Sequence, residues 1–169
     1  MNDGTEKPVK DLQKGDVMRG DRFGGFIIEC VVCTHSGFLR DLTRVGTLLV
    51  TPGQPIYVEN EWVPSCTAPG ATVVCDACDK VYNFVLDRGH VLTIEGMPCV
   101  TLGHGFKDPA MLHSYFGTDR VVNDLLHMRG WDDGLILLNG TLRCPDTGLV
   151  CGLVERPARD LTKLTQRLS

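Results

Sequence analysis

At 169 residues, with 43% hydrophobic and 22% charged side chains, the chain has the composition of one globular domain, or of one domain with a small appendage. A formal net charge of −4 argues against nucleic acid or an acidic membrane surface as the main partner. No apolar run is long enough to span a bilayer, and the N-terminus lacks the apolar core of a signal peptide.

Without a signal, the eight cysteines read as reduced thiols of the cytoplasm rather than as a disulfide framework. A signal further upstream would overturn that reading. A chain of this length can bury roughly 68–70% of its unfolded surface, enough for a substantial core.

From Met1 to about Cys99 the pattern is β: short segments rich in Val, Ile, Leu, Phe and Thr, punctuated by Gly and Pro. Val17 opens a strand after the Gly15-Asp16 turn. Phe26–Thr34 reads as a strand buried on both faces for part of its length. Thr47–Thr51 is another, and Pro52 stops it by removing a backbone donor. Ile56-Tyr57-Val58 is expected to pair with Glu61-Trp62-Val63 across Glu59-Asn60. Val81–Leu86 turns through Asp87-Arg88-Gly89 into His90–Ile94. Glu95-Gly96 returns the chain through Pro98 into Cys99–Leu102.

The character changes after Gly105. Arg120–Met128 has helical apolar spacing, with Thr118 or Asp119 as the N-cap and Gly130 as the stop. Trp131 begins a strand-like return that ends in Leu135–Leu138. Cys144–Cys151 reads as a hairpin turning on Pro145-Asp146-Thr147-Gly148. Residues 159–169 are expected to be a weakly amphipathic helix or a frayed tail. Leu125, Leu126, Met128, Trp62 and Trp131 are expected to be core contacts.

Two C-x-x-C elements, Cys30/Cys33 and Cys75/Cys78, have the spacing of a Cys₄ zinc site. Against that, Cys30 and Cys33 lie inside an apolar strand, where residues three apart point to opposite faces. Cys75-Asp76-Ala77-Cys78 is compatible with a turn. Cys99, Cys144 and Cys151 read as buried or hairpin thiols, the last two facing one another if the surroundings were oxidising.

Four motifs, in order, resemble the hedgehog/intein (Hint) self-processing domains. They are Lys7-Pro8-Val9-Lys10-Asp11-Leu12-Gln13-Lys14-Gly15-Asp16, Leu49–Ile56 followed by Trp62, Val81-Tyr82-Asn83-Phe84 with Gly89-His90, and Val100–Gly105. Tyr115–Arg120 through Trp131–Leu135 resembles the tail of Hint domains attached to von Willebrand factor A modules. The resemblance implies a mainly β, pseudo-symmetric fold with a small α+β C-terminal extension. It places a Hint domain at 1–105, an extension packed on it at 106–158 and a tail at 159–169. It also implies that the first strand, with its Cys or Ser nucleophile, is absent from this sequence, so that the domain is truncated and leaves an unpaired edge.

In that family a side chain attacks the adjacent backbone amide, and the upstream module leaves after an acyl shift to sulfur or oxygen. A His protonates the departing amide nitrogen, a Thr holds the scissile peptide and a carboxylate tunes the nucleophile. Carried onto this chain, Thr51 keeps the threonine of T-x-x-H, while Gln54 stands at its His and cannot transfer a proton near neutral pH. Asn83 replaces the carboxylate of Val-Tyr-Asp. His90 and His104 match the two later histidines, and Gly105 replaces the Asn that inteins cyclise. His35 is a stand-in base only if it reaches Thr51. The expectation is an inactive self-processing domain without a cofactor, whose partner is an upstream von Willebrand factor A module in cis. The alternatives are a non-catalytic interaction or scaffold domain, and a zinc-stabilised β module.

Overall fold

The computed structural model describes residue 1 and residues 4–19, 25–35, 41–75 and 78–157. The expected tail at 159–169 and the Asp76-Ala77 turn lie outside these residues. In chain order the strands are β1 (Val17–Met18), β2 (Phe26–His35), β3 (Asp41–Val45), β4 (Leu48–Val50), β5 (Pro55–Val58), β6 (Glu61–Pro64), β7 (Thr72–Cys75), β8 (Lys80–Leu86), β9 (Val91–Ile94) and β10 (Met97–Val100). Helix α1 (Asp119–Leu126) follows, then β11 (Leu135–Arg143) and β12 (Val150–Glu155). The protein is mainly β, as its sequence leads one to expect.

Strand β2 organises the largest sheet. It pairs antiparallel with β8 along one side, with Cys33 opposite Tyr82. Its other side meets β1 first and then β11, which runs parallel to it with Ile136 opposite Val32. The apolar run at Cys30–Cys33 is buried without alternation because a core covers each face of the strand. Cys30 and Val32 face a core of Val85, Tyr115, Val121, Leu125, Ile136 and Leu138. Val31 faces a second core with Phe84, Leu86, Leu92, Met18 and Leu12.

Two smaller sheets complete the fold, one in the order β6-β5-β10-β9 and one in the order β4-β3-β7. Val45, Leu48, Ile56, Ala68 and Cys99 join them through a third apolar cluster. The hairpins β5–β6 and β9–β10 turn on Glu59-Asn60 and Glu95-Gly96, all four residues having positive φ. Two consecutive left-handed residues make the tight connection whose twist matches that of the strands.

Local anchors place the loops. Asp16 accepts from the Lys7 ammonium at 2.7 Å and from the Gln13 backbone N–H at 2.9 Å. Asp87 accepts from the Ile27 N–H at 2.7 Å, fixing the point where the chain leaves β8 for the second sheet.

One expectation holds in position only, and two need correction. Thr118 occupies the N-cap position of α1, but its hydroxyl donates to the Ser114 and Tyr115 carbonyls instead of capping the helix. The helix ends at Leu126, not at Gly130, because the His127 ring N–H takes the Asn123 carbonyl at 2.7 Å and turns follow. Trp131 lies in those turns, and its strand begins only at Leu135. Gly130 has φ +90, and a Cβ there would run into the Leu135 carbonyl. The Cys144–Gly148 turn does join β11 to β12, with Gly148 N–H donating to the Cys144 carbonyl at 2.8 Å. No helix among the described residues is long and apolar enough to cross a membrane.

Candidate active site

The turn after β4 is built from the inside. Pro52 ends the strand, and the Gln54 N–H closes the turn on the Thr51 carbonyl at 2.9 Å. Ser65, fully buried, donates its hydroxyl to the Thr51 carbonyl at 2.8 Å, with the Pro52 carbonyl at 3.1 Å. The turn aims Gln54 at the end of β10. Its side-chain Nε2 donates to the Val100 carbonyl at 2.8 Å and lies 3.2 Å from the Pro55 carbonyl.

Asn83 reaches the same place from β8. Its Oδ1 accepts from the Phe84 N–H at 2.8 Å, and the Phe84 carbonyl accepts from the Leu102 N–H at 3.0 Å. Between them lies a cavity of about 30 Å³, lined on its polar side by Gln54, Tyr82, Asn83 and Thr101. That is room for a water molecule, not for a side chain. Thr101 is 4% exposed, and its hydroxyl has no hydrogen-bond partner among the described residues. Cys99 also lines the cavity, and burial pushes its thiol up to about 12, so it is a protonated wall and no nucleophile.

The histidines gather elsewhere. His90 has φ +52, and its carbonyl accepts from the Thr101 N–H at 2.9 Å, while its Nδ1 is buried without a partner among the described residues. His104 is 8% exposed and accepts from the Phe106 N–H through Nδ1 at 3.0 Å, which leaves the ring proton on Nε2. Gly117 covers that ring so closely that a Cβ would sit 3.0 Å from its Cε1 and Nε2. His113 accepts through Nδ1 from Tyr115 N–H at 3.1 Å and Phe116 N–H at 3.0 Å.

The structure therefore brings Gln54 and Asn83 together around one cavity. Neither His90 nor His104 lines that cavity; His90 and His113 both lie within electrostatic reach of His104, and Thr51 stays at the start of the turn with its carbonyl engaged. Ser65 and His113 carry no sequence signal, and Thr101 lies within the Val100–Gly105 motif without standing out there: each gains its meaning from burial and partners. His35 ends β2 opposite Lys80, not beside Thr51.

All three clustered histidines are held below the ordinary imidazole range, in each case chiefly by burial. For His90, the carboxylates of Asp119, Asp87 and Glu29 oppose the effect; for His104, the neighbouring His90 and His113 add to it; for His113, Arg143 does. As the pH falls, the unfolded chain takes up these protons before the folded one does. The stability that the neutral rings contribute is complete above about pH 6.5 and is lost as the pH falls through the folded values. Guanidinium melts at pH 7.5 and 5.5 are expected to show a lower midpoint at 5.5, and an unchanged midpoint would mean that the rings titrate freely.

Among the described residues the cysteines are not gathered into a metal centre. Cys30 and Cys33 are buried residues of β2, and burial pushes the Cys30 thiol up to about 11 and that of Cys33 upward. Cys75 lies on a different sheet, its thiol 3.3 Å from the Asp41 carboxylate. Among the described residues no three His, Cys, Asp or Glu side chains are placed to hold a metal ion. Cys144 and Cys151 are not joined by a disulfide.

The family model Vint, described as a Hint-domain, matches residues 1–152. No curated protein matches the chain.

Proposed function

The chain belongs to the Vint family of Hint domains, and from that premise we propose that it is a self-processing domain by descent, whose own site lacks the groups that drive the reaction. In the acyl shift, a Cys or Ser side chain bonds to the preceding carbonyl carbon, the C–N bond breaks and the freed amine takes up a proton. A second nucleophile, water or a thiol, then bonds to that carbonyl carbon, which releases the upstream module and returns the side chain as a thiol or hydroxyl. The proposed module is a von Willebrand factor A domain in cis, on the resemblance of residues 115–135 to the tails of such Hint domains.

One observation carries the reading. Gln54 and Asn83, the positions read as matching the family's proton donor and carboxylate, meet around one cavity, and both are amides. Neither amide titrates near neutral pH. Each is also committed to the backbone, Gln54 to the Val100 carbonyl and Asn83 to the Phe84 N–H. General acid–base assistance contributes about 10²–10⁴-fold in such reactions, so its loss leaves little rate.

The test is a fusion that carries a reporter and a Cys-led strand ahead of residue 1. Intact mass after incubation with a small thiol is expected to show the fusion uncut. Release of the reporter at the Cys would overturn the proposal.

The same hydrogen bonds favour a second reading, a non-catalytic interaction domain that kept the fold. In that case Gln54 and Asn83 serve the β4–β5 turn and strand β8, and nothing else.

A further inference from the structure

We propose that the C-terminal end of β2, on the face of the largest sheet that carries the second core, is a binding site for a tetrahedral oxyanion such as phosphate or sulfate, held by Arg156, Lys80 and His35. The strand register assembles it. Val31, Cys33 and His35 project to one face of β2, because strand side chains alternate. On one flank, Lys80 lies opposite His35 and Tyr82 opposite Cys33. On the other, Leu137 lies beside Cys33, and the Arg156 N–H donates to the Leu137 carbonyl at 2.9 Å. Arg156 thus enters the same end of the sheet from the side opposite Lys80.

Two of these side chains hold donors already taken out of water. Arg156 Nε and His35 Nε2 are both buried and have no hydrogen-bond partner among the described residues. A buried polar group without a partner is costly, and an acceptor seated between these two would remove the cost. Arg156 is also pinned, its carbonyl accepting from the Arg129 guanidinium at 3.0 Å. The adjacent carboxylate, Glu155, is engaged by Arg129 at 2.9 Å and so does not neutralise Arg156. Lys80 and Arg156 are both close enough to Cys33 to favour its thiolate, although burial outweighs them.

An ammonium on β8 and a guanidinium fork just beyond β12 thus flank the His35 imidazole from the two sides of β2. Donors from several directions suit the many oxygens of a tetrahedral anion better than the two of a planar carboxylate. Arg156 lies beyond the residues 1–152 that match the family, so this site does not depend on the self-processing reading.

Thermal melts of the whole protein in inorganic phosphate, in sulfate, in acetate and in chloride, at matched ionic strength, test the proposal. In tens of millimolar phosphate or sulfate the melting temperature is expected to rise by a few degrees over chloride, and acetate should leave it at the chloride value. Arg156→Leu and Lys80→Thr should each abolish most of that rise while keeping the strand signature in circular dichroism. Should Arg156→Leu fail to fold, Lys80→Thr, at an exposed strand end, carries the comparison alone. Equal melting in phosphate and chloride overturns the site, as does an undiminished rise in Lys80→Thr. An acetate response as large as that to phosphate overturns the assignment to a tetrahedral anion.

Discussion

Tyr115→Ala is expected to lower stability by about 3–5 kcal/mol, the range for deleting a large buried ring. The side chain is 0% exposed and stands in the core that joins β2, β8 and β11 to α1 through Val121 and Leu125. Its hydroxyl donates to Asp124 at 2.6 Å, and the Arg120 guanidinium lies 5.8 Å from the ring centroid. Burial first, and then the Asp124 carboxylate, push the phenol's pKa upward, so it stays a donor throughout the accessible pH range. The segment from His104 to Thr118 has no helix or strand of its own. It is tied to the end of β10 by Gly103 N–H to the Phe116 carbonyl and Gly105 N–H to the Gly117 carbonyl, both at 2.9 Å. Tyr115 is the wedge under that segment. Tyr115→Phe keeps the wedge and loses the charge-assisted hydrogen bond, which should cost roughly 1–2 kcal/mol because Asp124 can be rehydrated at the surface. Urea melts of the two variants give both numbers. If Tyr115→Ala came within about 1 kcal/mol of wild type, the segment would be held by its backbone bonds and not by the ring.

What the sequence made legible follows the range of each interaction. The Glu59-Asn60, Glu95-Gly96 and Pro145–Gly148 turns are local chemistry, and the strands on either side of them pair as that chemistry predicts. The unbroken apolar run of β2 announces that both its faces are covered. Nothing in it announces that β11, about a hundred residues later, would lie parallel on its flank. Such a pairing leaves no periodic mark beyond another apolar strand. The helix boundary failed for a similar reason: Gly130 is indeed left-handed, but it serves the turn into β11, and the His127 ring ends the helix earlier.

At the site, the pattern of T-x-x-H and Val-Tyr-Asp drew attention to Gln54 and Asn83. Their common cavity depends on the fold, because β4, β8 and β10 belong to three different sheets. His90 and His104 were read as one set with those two residues. In space neither lines that cavity, and His104 has both His90 and His113 within electrostatic reach.

Gln54→His, placed in the fusion with a Cys-led strand, is expected to raise thiol-dependent release of the reporter by about 10²–10⁴-fold over the unmutated fusion. The argument rests on what already holds residue 54. The Val100 carbonyl, 2.8 Å from the Gln54 nitrogen, accepts one proton and would accept it equally from one ring nitrogen of an imidazole. That bond fixes the tautomer and turns the second nitrogen toward the Asn83–Thr101 cavity, where it can carry a proton to a departing amine. The Thr51–Gln54 turn is held by Ser65 and by backbone bonds, none of which involves the residue 54 side chain, so the substitution leaves its frame in place. Asn83→Asp alone should give much less, because its oxygen is already an acceptor from the Phe84 N–H and a carboxylate there adds charge without a proton donor. The pH profile separates catalysis from a change in folding: release by Gln54→His should follow a single imidazole titration, whereas a structural effect would be flat. A folded Gln54→His fusion that stays uncut at every pH would mean that the missing rate lies in how the scissile peptide is held, and not in the lost proton donor.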